Sequence, residues 1–155
     1  MRISAKAHYA VRAMLDIASN PQNYPISLSS ISVRQEISLH YLEQLFMKLR
    51  KSKLVKSVRG PGGGYLMAKK ADQISIGDIF RAVDESISPA VCVDTENFDG
   101  DPCNRVDSCV TRLLWQRLAK HISEILYSIS LEDLRCEEKN MSRDKSVRHT
   151  FSFDI

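Results

Sequence analysis

At 155 residues, 43% of them hydrophobic and 26% charged, the chain is sized for one domain, or one domain with an appended helix, around a modest core. Its net charge of +3 conceals an asymmetry: residues 1–70 carry 12 Lys and Arg against 3 Asp and Glu, or +9, while residues 71–155 carry 10 against 16, or −6. No apolar run approaches the roughly 18 residues a membrane span needs, and no signal peptide is visible, so a cytoplasmic protein whose basic front half meets a polyanion is the expectation.

Residues Ser4 to Ala18 repeat Ala7, Ala10, Val11, Met14, Leu15 and Ala18 at helical spacing, predicting a first helix with a narrow apolar face. Pro21 and Pro25 bracket a loop, and Ser27 then caps a short helix to about Arg34, with Leu28 and Ile31 facing inward. After the turn at Gln35-Glu36-Ile37, Ser38 caps a third helix in which Leu42, Leu45, Phe46 and Leu49 form a buried stripe. Its other face presents His40, Tyr41, Glu43, Gln44, Met47, Lys48, Arg50 and Lys51, a mixture of base-edge readers and phosphate binders.

Beyond Lys53, alternation through Leu54 to Arg59 predicts a strand. Gly60-Pro61-Gly62-Gly63-Gly64 then reverses the chain into Tyr65-Leu66-Met67, a β-hairpin with Arg59 at its tip. Helix, helix, turn, helix, hairpin is the order of a winged helix-turn-helix, here over residues 1–85. Ser75 with Asp78 reads as a capping box opening a helix from Ile76 to Val83, with Ile76, Ile79, Phe80 and Val83 inward.

The pattern stops between Ser86 and Ser108, where Pro, Asp, Asn and Gly deny any regular element; a loop that long in a small chain implies a task. From about Ser108 to Ile129, Val110, Leu114, Leu118, Ile122, Ile125 and Ile129 recur, with Leu113 and Leu126 beside them. That exceeds what one small domain covers, and a homodimer through this helix is expected. Residues 109–134 thus form the dimerisation helix and a short following segment, Leu131 to Leu134. Residues 135–155 are expected to stay disordered, because the polar run EEKNMSRDKSVRH buries too little to order itself.

Two chemistries follow. For double-stranded DNA, Lys48, Arg50, Lys51, Lys53 and Lys56 suit phosphates, Gln44 pairs with adenine, Glu43 accepts from cytosine and Arg59 suits a narrow minor groove. Glu43 also penalises any site that offers it no donor. Ser38, Gly60, Gly62 and Gly63 complete the candidate DNA-contacting set. For metal, Cys92, Cys103 and Cys109 lie in or beside the loop, and reduced thiols are soft ligands. Gaps of ten and five residues match no common zinc spacing, so an iron–sulfur cluster, zinc and unligated thiols all stay open at this point. No Ser/His/Asp order, HExxH or P-loop is present, and the glycines sit between strands instead of opening a helix, so neither an enzyme nor a small-molecule substrate is indicated. The rival of another class is a metal-binding interaction module whose basic face meets an acidic protein.

The opening MRISAKAHYAVRAMLDIA, the stretches ISLHYLEQLF, VRGPGGGYLM and AVDESI, and the three downstream cysteines together resemble the Rrf2 family of bacterial transcription regulators over roughly Met1 to Leu134. The resemblance implies a mainly α winged helix-turn-helix fold with a small hairpin, base contacts from the third helix, a minor-groove role for Arg59, and operator binding modulated by a [2Fe–2S] cluster on Cys92, Cys103 and Cys109. Other signals known for such regulators are nitric oxide and iron. The chain departs from the family's iron–sulfur members in a longer first loop segment and in Arg112, which stands where they carry a histidine ligand. Some Rrf2 proteins draw a ligand from the first-helix position matching His8, supplied by the partner subunit; Asp107, His121 and Cys136 are lesser candidates.

Overall fold

The computed structural model describes residues 3–20, 24–94, 103–105 and 107–143. Among these residues six helices and one hairpin occur in the order α1 (Ala5–Ala18), α2 (Leu28–Gln35), α3 (Leu39–Lys51), β1 (Val55–Val58), β2 (Gly64–Met67), α4 (Ile76–Ala82), α5 (Val110–Ser128) and α6 (Leu131–Arg143). Short 3₁₀ turns sit at Ala71–Gln73 and Val91–Val93. The expected winged helix-turn-helix is therefore present.

Helix starts follow the predicted caps: the Ser27 hydroxyl accepts from the Ser30 N–H, Ser38 from Tyr41, and Ser75 and Asp78 close a reciprocal capping box. At the end of α2, Glu36 adopts the left-handed conformation (φ 54°) and turns the chain into α3. Arg34 and Gln35 both donate to Asp16 of α1, at 3.0 and 2.9 Å, which fixes α2 against α1. The core is built on α1 and α3. Ala7, Ala10, Ala13 and Met14 meet Ile31, Leu42, Phe46, Leu49, Ile74, Ile79 and Leu131, all fully enclosed. Four stripe residues expected on α3, Leu42, Leu45, Phe46 and Leu49, are all buried.

β1 and β2 pair antiparallel with Val55 opposite Met67 and Val58 opposite Gly64. Only Val55 of β1 is buried; the rest of the strand stands off the body as a wing. Gly60 and Gly62 take φ of 106° and 74°, values that carry a penalty for any side chain, so the reversal depends on them. The Phe46 ring meets Tyr65 edge to face at 4.8 Å, tying the hairpin base to α3.

Two expectations for the back half need correction. The Ser86–Ser108 loop is not wholly irregular, since Val91–Val93 form a 3₁₀ turn; residues 95–102 lie outside the described residues. The chain also does not end its order at Leu134. α6 runs thirteen residues to Arg143, although 135–155 reads as a disordered tail; residues 144–155, with the terminal FSFDI, lie outside the described residues. The reason is tertiary. Ser130 and Asp133 cap the helix reciprocally, Leu131 is fully buried and donates its N–H to Ile74 O at 2.8 Å, Arg135 reaches the Ala18 carbonyl, and Ser19 donates to Glu138 at 2.6 Å. Polar residues thus ride on a helix anchored at one end. No helix among the described residues is long and apolar enough to cross a membrane.

Candidate nucleic-acid interface and cysteine segment

Burial of the α3 stripe turns His40, Glu43, Gln44, Lys48, Arg50 and Lys51 outward, and all are exposed. They form a row on one helix face because residues three and four apart are neighbours there. Gln44 Nε2 lies 3.0 Å from His40 Nε2, and the other ring nitrogen of His40 lies 4.0 Å from Glu43 Oε2, so one imidazole links both residues expected to read bases. Tyr41 differs from expectation. It is half-buried, its ring edge-on to Tyr9 at 5.7 Å, so the phenol serves as a spacer between α3 and α1. Ser38 is spent on its capping bond but remains at the surface.

Arg59 is exposed at the end of β1, next to the reversal formed by Gly60, Gly62 and Gly63, and has no ion-pair partner among the described residues. Wing and helix are held in one relation by Lys53, which closes α3 in the left-handed region (φ 58°) while Leu54 N–H returns to Leu49 O at 3.0 Å. Sequence reasoning passed over two exposed apolar side chains on either side of the α2–α3 turn, Val33 (80%) and Leu39 (40%). Helical periodicity flags only what is buried, so a solvent-facing Val or Leu escapes it. It also passed over the pairing of Lys48 with Asp84, 36 positions apart.

The cysteines are placed at element edges. Cys92 is half-buried in the 3₁₀ turn, Cys103 is exposed, and Cys109 is the half-buried N-cap of α5. The Cys109 thiol is held below its ordinary pKa, first by the Thr111 hydroxyl at 3.1 Å, then by the Arg112 N–H, with burial opposing and the Arg105 charge assisting. Arg112 Nε donates to the Cys92 carbonyl at 3.4 Å, so a cation joins the two cysteine-bearing edges. His8 is exposed on α1 beside Tyr9. Among the described residues no group of three or more His, Cys, Asp or Glu side chains comes close enough to hold a metal ion. The chemistry of the donors fits a thiolate-bound cluster, with one thiol already biased toward thiolate, but these residues do not gather into a closed site within one chain.

Residues 3–137 match the Rrf2 family, described as iron-dependent transcriptional regulators. The chain belongs to the Rrf2 family. Among its relatives, the HTH-type transcriptional regulator IscR of Sodalis glossinidius is 48% identical over 139 residues, covering 90% of this chain and 81% of the relative. IscR of Photorhabdus laumondii is 50% identical over 134 residues, 86% of this chain and 79% of the relative. Among solved Rrf2-like structures, T. potens IscR superposes with a TM-score of 0.70 at 37% identity, covering 99% of this chain and 97% of that one. CymR, described as the global cysteine regulator of B. subtilis, also gives 0.70 at 37% identity, covering 88% and 98%. This chain is accordingly an IscR-type Rrf2 transcription regulator and not an enzyme. A regulator of this family binds DNA, which removes the acidic-protein module as an alternative.

Proposed function

We propose that the protein grips an operator as a homodimer, two copies of α3 entering successive major grooves and Arg59 of each wing entering the flanking minor groove, with a [2Fe–2S] cluster setting which operators are held. The observation that carries the DNA part is the exposed row His40, Glu43, Gln44 with Arg50 and Lys51 beside it, on a helix joined to a wing that ends in an arginine without an ion-pair partner among the described residues. In this reading His40, Glu43 and Gln44 specify bases, whereas Lys48, Arg50 and Lys51 bind phosphates.

The homodimer rests on α5. No residue of this nineteen-residue helix is buried, and Val110, Leu113, Leu114, Leu118 and Ile125 are 41–78% exposed. A continuous apolar stripe of that size is what a second copy covers. Cys92, Cys103 and Cys109 would hold the cluster, with His8 from the second copy as the fourth donor, since the guanidinium of Arg112 cannot ligate iron. When bound, the cluster supplies a change of local charge and redox state at the edge of α5. The chain's own part is to keep Cys109 acidic through Thr111 and Arg112 and to join the loop to α5 through the bond from Arg112 to the Cys92 carbonyl.

Fluorescence anisotropy on palindromic duplexes tests the first part: Arg59→Ala is expected to weaken binding about tenfold at A-tract-flanked sites, and an unchanged affinity refutes the wing's role. Iron and sulfide counted in protein purified without oxygen test the second, with His8→Ala expected to alter the visible spectrum.

A further inference from the structure

Directly before the cysteine loop, α4 ends in a hub that touches the reading helix. Its C-terminal turn closes with Glu85 N–H on Phe80 O at 3.0 Å, and between them Asp84 stands in the left-handed conformation, φ 53°. Glycine suits that position best, so an aspartate there bears a backbone cost that its side chain must justify. The side chain reaches across to α3, where Lys48 Nζ lies 2.8 Å from Asp84 Oδ2. Lys6 of α1 donates to the Asp84 carbonyl. Arg50 and Lys51, the other cations of the α3 face, form no ion pair among the described residues. The two side chains are 44% and 68% exposed, so the pair is worth little against water and yields readily to a stronger anion.

We propose that Asp84 masks Lys48, its carboxylate standing in for a DNA phosphate that must displace it when the duplex binds. This rests on the reading of α3 as the DNA helix. The contact with Lys48 holds the carboxyl below its ordinary pKa against the opposing effect of burial, with the charges of Lys48, Lys6 and Lys51 adding to it, which favours the anionic form of the stand-in. Because Asp84 joins α4 to residue Ser86, whose hydroxyl bonds Asp94 beyond Cys92, the pair also lies where the cysteine loop meets the reading helix.

The test is salt-dependent anisotropy of the full chain on a random-sequence duplex, a sufficient probe because phosphate contacts ignore sequence. Asp84→Asn keeps a residue that tolerates the left-handed region, and Asp84→Gly removes the backbone cost altogether, so folding is preserved in at least one variant. Both are expected to bind about two- to fivefold more tightly, with the log–log salt slope steeper by up to about 0.9 per chain, and neither is expected to change affinity in a Lys48→Ala background. An equal gain in the Lys48→Ala background would reduce the effect to general charge, and weaker binding would mean that Asp84 presents Lys48 to the phosphate; either overturns the proposal. Wild-type binding with unaltered variants sinks this inference alone, whereas absence of wild-type binding at low salt sinks the reading of α3 beneath it.

Discussion

Leu114 is the position at which the dimer proposal is most exposed to refutation. It is 56% exposed on α5, so completing its burial in a partner interface returns about half of the roughly 1.5–3 kcal/mol that a fully buried leucine gains, or about 1 kcal/mol. A twofold interface uses the residue twice, which makes about 2 kcal/mol per dimer. Leu114→Glu forfeits that and places a carboxylate in an apolar seam, a desolvation cost of about the same size again. The total of about 4 kcal/mol corresponds to roughly a thousandfold weaker association. Within a single chain the same substitution is nearly free, because α5 buries no residue and Glu and Leu have similar helix propensity. Sedimentation velocity at micromolar concentration is expected to show a dimer for the native chain and a monomer for the variant, with helical circular dichroism unchanged. A native monomer, or a variant that stays dimeric, would refute the assignment of α5.

Glu85 offers a pH test. Its side chain is only 7% exposed and accepts from the Ser4 N–H at 2.8 Å and the Ser4 hydroxyl, with Lys6 at 3.5 Å. Burial alone would raise its pKa, but the two Ser4 bonds and Lys6 prevail and hold it below the ordinary value. Stability from this group is therefore present above the unfolded value of about 4.3 and lost as pH falls through the lower folded value. Glu85→Gln is expected to cost about 2 kcal/mol at pH 7, a melting temperature lower by about 4–8 °C, with the difference shrinking below about pH 4; equal melting at pH 7 would contradict it. Gly77→Ala on α4 would bring a Cβ to 2.8 Å from the Tyr127 ring, so a loss of about 1–3 kcal/mol by denaturant unfolding is expected, and no loss would mean that α4 and α5 are not apposed in this way. Ser130→Ala removes the hydroxyl that caps α6 and is expected to cost about 1 kcal/mol, read as faster amide exchange beyond Leu131. If a second copy supplies His8, the Leu114→Glu monomer shows the same altered visible spectrum as His8→Ala; a monomer with the native spectrum would place the fourth donor within its own chain.

How far the sequence could be read depended on the range of the interaction. The α3 stripe and the Ser27, Ser38 and Ser75 caps act within four residues, so spacing alone exposes them, and the glycines that reverse the wing declare themselves by residue type. Composition suggested disorder where α6 forms, because the bonds that hold that helix, Leu131 to Ile74 and Arg135 to Ala18, join residues 57 and 117 positions apart. The same limit applies to Tyr41, which looks free on a helical wheel until Tyr9 meets it, and to Lys48, whose partner lies 36 residues away. Thiol convergence is a property of longer range still. Three cysteines in a row announce soft-metal chemistry, but whether they meet depends on the path of residues 95–102 and on what a second copy brings to α5. The exposed α3 row was legible because one helix writes it; the proposed metal site would draw on loop, helix and partner together, and the bond from Arg112 to the Cys92 carbonyl is again a contact between distant residues that spacing does not reveal.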